Sequence, residues 1–137
     1  IPASSISCFS AFGQNRSGAC GVSAVAMVSA FAGLGGSVSW WAGGGSSVPV
    51  RGRLAVRARA VVSSASVSVV AFFSSASSVG TFKACQFAAS RGLSVVAFPL
   101  GFSGSSLPTL GSGSWVPVGG SGIWSDSFRW VADDVLL

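Results

Sequence analysis

Residues 67–99 constrain the fold of this chain more than any other stretch. From 67 to 73 the sequence is an almost unbroken run of Val, Ala and Phe, which reads as a strand buried on both faces. Small serines follow at 74–78. From 81 to 91, Phe82, Cys85 and Ala89 share one face while Lys83, Gln86 and Ser90 lie elsewhere, and Gly92 is a natural helix terminator. A second buried run, 93–98, closes at Pro99. Two apolar strands joined by a helix of this length are parallel neighbours, because a hairpin cannot connect them.

The segments before this unit repeat the alternation. Residues 6–12 alternate apolar and small polar side chains and run into Gly13, as a strand leading to a loop. Residues 18–31 place Val22, Val25, Val28 and Ala32 at helical spacing and stop at the glycines of 33–36. Residues 38–42 form a short strand with Trp40 and Trp41, ended by Gly43, Gly44 and Gly45. From 50 to 64 a helix sets Leu54, Ala58, Val61 and Val62 on one face, with Arg51, Arg53, Arg57 and Arg59 near its start.

Four strands alternating with three helices predict an α/β fold: a Rossmann-like three-layer domain with a mostly parallel sheet of four or more strands. Phe9, Val38, Val69 and Val96 are then expected in adjacent central strands, buried. Residues 1–137 are expected to form a single domain with its core at 6–101. The remainder, 102–137, is a Gly, Ser and Pro-rich loop with one short strand near 115–118 and a tail. Phe128, Val131 and Val135 recur there at helical spacing, so a last helix is expected over 124–137.

Composition narrows the chemistry. The chain has no His and no Tyr, and its only carboxylates are Asp126, Asp133 and Asp134. The commonest general base is therefore missing, and a paired-carboxylate mechanism would have to be built from the tail alone. Cys8, Cys20 and Cys85 lack the spacing of a zinc site or a disulfide framework and read as small buried hydrophobes. No metal, no cofactor and no disulfide are expected. Charged residues are only 8% of the chain, with net charge +5, and all seven cations among the first 125 residues face no acid there. Such a balance attracts anions, whether phosphates, nucleic acid or acidic lipid.

No charge occurs between Arg16 and Arg51. Serines and glycines interrupt that stretch, so a helix followed by a buried strand is preferred to a membrane span. No basic segment followed by an apolar run and a cleavage site is visible, and a cytoplasmic protein is expected.

Three glycine-bearing loops follow successive strands, and each precedes a helix whose first amides favour an anion. They bring forward Gly13 and Arg16, then Gly43, Gly44 and Gly45, then Gly80 and Thr81, as ligand-binding candidates. Arg57 and Arg59 diverge by about 200° on a helix, so one of the two is expected at the ligand and the other in packing. Of the tryptophans, Trp115 in its glycine loop is the better candidate for stacking on a base, whereas at least one of Trp40 and Trp41 belongs to the core.

These motifs resemble a family. Phe12 to Arg16 (Phe-Gly-Gln-Asn-Arg) after the first strand looks like a turn of the superfamily that joins DNA-processing protein A (Smf/DprA), the Lonely Guy proteins and the molybdenum-cofactor carrier proteins. The triplet Gly43, Gly44 and Gly45 is similar to that superfamily's glycine triplet. Arg57 and Arg59 before Val61 and Val62 look like its arginine-bearing helix. Gly80 and Thr81, then Ala88, Gly92 and 95–99, resemble its last motif. The resemblance implies a Rossmann-like, usually oligomeric module that binds a nucleotide or single-stranded DNA. Ala84 stands where the phosphoribohydrolases of the family carry a carboxylate, and Ser66 where an aspartate usually begins the third strand. Binding without catalysis, as a sensor or carrier, is therefore the expected function. Two other readings stand beside it: a structural subunit of a large assembly or filament, and an unusual nucleotide hydrolase.

Overall fold

The computed structural model describes residues 1–13, 21–45 and 47–133. They form a mixed α/β structure with three helices and two sheets. The chain divides into two compact units, Ile1–Val61 and Val62–Leu137.

In the first unit, β1 (Ser7–Phe9) pairs in parallel with β2 (Ser37–Ser39), with Cys8 opposite Val38. Between them lies α1 (Val22–Gly33), which buries none of its residues and leaves Val25, Val28 and Phe31 half-covered. The Leu34 amide closes that helix onto the carbonyls of Ala30 and Phe31. After β2 the chain passes through its glycine triplet into α2 (Val50–Ser64), the span read from the sequence. Its packed face is the expected one only in part: Val62 is buried in the core and Ala58 half-buried, but they are joined by residues of other positions. Arg53 is buried and Arg57 and Ala60 are half-buried, whereas Leu54 and Val61 are exposed. The apolar residues of a short helix lose their claim to the interior when an arginine finds carbonyls and rings to sit against.

The second unit holds the main apolar cluster and the larger sheet, whose strands β3 (Ser68–Phe73), β4 (Ser94–Pro99), β5 (Gly113–Pro117) and β6 (Phe128–Ala132) lie in the order β3-β4-β6-β5. β3 and β4 are parallel and in register from Ser68 opposite Ser94 to Phe73 opposite Pro99. The crossover between them is α3 (Val79–Ser90), with Arg91 as its cap and Gly92 at φ +75° just beyond. That left-handed backbone is what glycine permits at the end of a helix. Cys85 and Ala88 of α3 pack on Ala71, Phe73, Val95 and Ala97, all buried. The opposite side chains of β3, Val70 and Phe72, are exposed, so β3 is covered on one face only and not on both as its composition suggests.

Two expectations are corrected by the sheet order. Phe9 and Val38 lie in the two-stranded sheet, Val69 and Val96 in the four-stranded one, and each is half-buried rather than buried. β1 and β2 are three residues long and half serine or more at their ends, too short and polar to form long central strands. The tail is a strand and not a helix over its described part: β6 runs antiparallel to both β4 and β5. Phe128 and Trp130 alternate with Arg129 and Val131, and this period of two places both rings against the core. β5 itself falls where a short strand is expected.

Candidate functional site

The loops that leave β1 and β2 are laced together by their own backbone. The Ser10 amide donates to Ser39 (2.9 Å), the Ala42 amide to Ser10 (2.7 Å) and the Trp41 amide to Phe12 (3.2 Å). The Ser10 hydroxyl adds a bond to the Phe12 carbonyl at 2.9 Å. Trp41 takes φ +56°, a left-handed conformation rare for a bulky residue, and its ring lies over Gly13. A Cβ at Gly13 would fall 2.5 Å from that ring.

Arg53 of α2 ties these loops down. It is 3% exposed, its Nε donates to the Val48 carbonyl at 3.0 Å, and a guanidinium nitrogen donates to the Ala11 carbonyl at 3.1 Å. Its guanidinium also lies 5.3 Å from the Phe12 ring centroid and 5.2 Å from that of Trp41. Carbonyl dipoles and two aromatic faces thus solvate a buried cation. Gly43, buried, rests against the Arg53 carbonyl so closely that a Cβ would stand 1.9 Å from that oxygen. Gly44 has φ +110°, and Gly45 is exposed with open space about it.

Sequence-derived candidates therefore separate by environment. Gly13 and Gly43 face protein atoms, Gly45 faces solvent, Arg57 is half-buried and Arg59 exposed. Arg16 lies outside the described residues. Arg53 was not among the candidates, although the local signal was present: with Arg57 it occupies one side of α2 at the i, i+4 spacing.

Gly80 and Thr81 belong to the second unit, in the first turn of α3. β3 and β4 end side by side there, and the Leu100 amide donates to the Phe73 carbonyl at 2.8 Å. Between β3 and α3 runs a knot of serines. Ser74 and Ser78 hydroxyls are 3.1 Å apart, Ser75 and Ser77 hydroxyls 3.2 Å, and the Ser75 amide donates to the Ser78 hydroxyl at 3.2 Å. Ser78 is the N-cap of α3, yet its side chain makes no capping bond to the helix. The hydroxyl that ordinarily satisfies an early helical amide is turned toward the loop instead. Gly80 is exposed, and a Cβ there would meet nothing within 4 Å.

Other reactive groups are sparse. Burial pushes the Cys85 thiol up to about 12, so it is protonated and inert at neutral pH. Among the described residues no three His, Cys, Asp or Glu stand close enough to hold a metal ion, and no helix is long and apolar enough to cross a membrane. Trp115, the expected stacking residue, is turned inward: its indole N–H donates to the Pro108 carbonyl at 2.9 Å, and its ring meets Trp130 edge-on at 5.3 Å. Comparison with protein-family models, with curated proteins and with solved structures finds no match.

Proposed function

We propose that the protein binds the phosphate of a nucleotide or of single-stranded nucleic acid, as a sensor or carrier without catalysis. The observation that carries this reading is the start of α3. It lies at the carboxyl edge of the parallel pair β3–β4, its cap side chain is turned away, and Gly80 leaves the approach open. Helix amides at such an edge attract an anion through their unpaired N–H groups and the helix dipole. The serine hydroxyls of 74–78 can add donors, and the cationic excess of the chain favours the same charge. The fold in this reading is a Rossmann-like three-layer domain of the superfamily that its motifs resemble, working as an oligomer in the cytoplasm.

The test is titration of the chain with nucleoside monophosphates and short single-stranded DNA, alongside Gly80→Val. A Cβ at Gly80 meets nothing within 4 Å, so valine has room there and adds a branched side chain to the first turn of α3, with thermal melting as the check on the fold. Charge-assisted bonds to phosphate contribute about 1.5 to 3 kcal/mol each, so affinity should fall about tenfold or more. Absence of binding by the parent, or a valine variant that binds equally well, removes the proposal.

A second reading has its own observation. Val70, Phe72, Val116 and Val131, on the sheet face opposite α3, are 39–59% exposed, as suits a subunit of a larger assembly. Size-exclusion chromatography separates the two: a discrete oligomer fits the binding protein, a polymer the structural subunit.

A further inference from the structure

Beyond the end of β4 the second unit carries a shallow, largely open cavity of about 350 Å³, lined by Pro99, Phe102, Gly104, Ser125, Asp126 and Phe128. The volume falls within the range of about 300 to 1,000 Å³ common to small-molecule sites. Three of its walls are apolar rings, and its polar side carries one carboxylate in a chain that has only three. We propose that this cavity is a nucleobase subsite, in which Asp126 reads a guanine-type edge.

Asp126 belongs to the connection between β5 and β6, and its neighbours hold that connection in place. The Ser125 amide and hydroxyl both donate to the Gly122 carbonyl, at 3.2 and 2.9 Å. Ser127, buried, donates to Trp124 from its amide at 3.0 Å and its hydroxyl at 2.7 Å, and its own carbonyl accepts from the Val118 amide. Asp126 is thus carried on a bonded turn while it remains exposed to a ligand. The Phe128 ring is placed with equal care. Gly104 lies against it so that a Cβ would come within 2.0 Å of a ring carbon.

A carboxylate offers only acceptors, so it selects a partner with adjacent donors. Guanine presents N1–H and the 2-amino group side by side, which a carboxylate receives as a pair of parallel bonds. Adenine presents an acceptor at N1 and meets the same carboxylate with repulsion. Apolar rings beside it suit the faces of a base. The position agrees with the phosphate reading, on which the nucleotide form of this inference rests. β3 leads to the start of α3 and β4 leads to the cavity, and these strands are hydrogen-bonded neighbours.

The experiment compares guanosine with adenosine, and GMP with AMP and inorganic phosphate, by calorimetric titration of the whole chain and of Asp126→Asn. The substitution is nearly isosteric at an exposed position, and thermal melting checks that the fold persists. Guanosine should bind about tenfold more tightly than adenosine, and that ratio should fall to about one in the variant. Equal binding of the two nucleosides, or a preference that survives Asp126→Asn, overturns the base subsite whether or not phosphate binds. The phosphate reading is judged separately: an Asp126-dependent guanosine preference with no gain from the 5′-phosphate and no phosphate binding would sustain the cavity and remove the anion site.

Discussion

A methyl group added at Gly43 would stand 1.9 Å from the Arg53 carbonyl oxygen, whereas one added at Gly80 would meet nothing within 4 Å. Both are glycines beside a helix start, and their letters carry no hint of the difference, because it depends on where α2 approaches the chain from elsewhere. Gly43→Ala should therefore destabilise the protein by about 1 to 3 kcal/mol, while Gly80→Ala should stay within about 0.5 kcal/mol of the parent, as read by denaturant melts. Equal effects would mean that the Gly43 packing is wrong. Arg53 teaches the same lesson: its charge suggests a surface, but Ala11 and Val48 carbonyls with two rings receive it inside. Cys85 was legible as a buried hydrophobe, and burial gives it a pH signature. Its pKa rises from 9.0 to about 12 on folding, so the unfolded chain loses this proton first. The thiol's contribution is fully present below pH 9 and is lost as pH climbs toward 12, at about 1.4 kcal/mol per pH unit. Denaturant melts between pH 8 and 10 should show this extra decline in the parent and not in Cys85→Ala; parallel declines would place the thiol at the surface.

Elements were legible where local pattern and tertiary environment agreed. The helix over 50–64 and the unit β3-α3-β4 follow from periodicity and from Gly92, since each is decided within about a dozen residues. The tail was not, because Phe128 and Val131 satisfy a helical spacing while Phe128 and Trp130 satisfy a strand spacing. The choice is made by distant partners: β4 offers one free edge and β5 the other, and β6 fills the gap with Arg129 opposite both Val96 and Val116. The same insertion explains why a purely parallel sheet did not form along β4. A central strand needs its amides, so Val131→Pro, opposite Ser114, should cost about 3 kcal/mol. Ser121→Pro in the exposed connection should cost little. Thermal melts of the two variants check the assignment, and a Val131→Pro protein as stable as its parent would return the tail to a helix or a loose end.

Across the whole molecule the distribution of charge is the property most relevant to the proposed ligand. Seven cations occupy the first 125 residues with no acid among them, and the three acids all lie at or after Asp126. Part of this surplus is spent on architecture. Arg53 is buried, and Arg91 donates to the Val62 carbonyl at 2.6 Å while lying over the Phe87 ring. Arg51 in the first unit and Lys83 and Arg129 in the second are exposed, so each adds to the positive field around its own unit. That field is screened within about 10 Å at 0.1 M salt, whereas bonds from helix amides to a phosphate are short and far less sensitive. The two contributions therefore separate by ligand length. A single nucleotide, held by the start of α3, should lose little affinity as salt rises. A single-stranded oligonucleotide that also neutralises about three phosphates should bind about twentyfold more weakly at 200 mM than at 50 mM salt. Fluorescence anisotropy of a labelled oligonucleotide beside calorimetry of a mononucleotide supplies the comparison. An oligonucleotide affinity as flat in salt as that of the mononucleotide would show that the cationic surplus does not meet the strand, and would confine the ligand to the one phosphate that the helix start can hold.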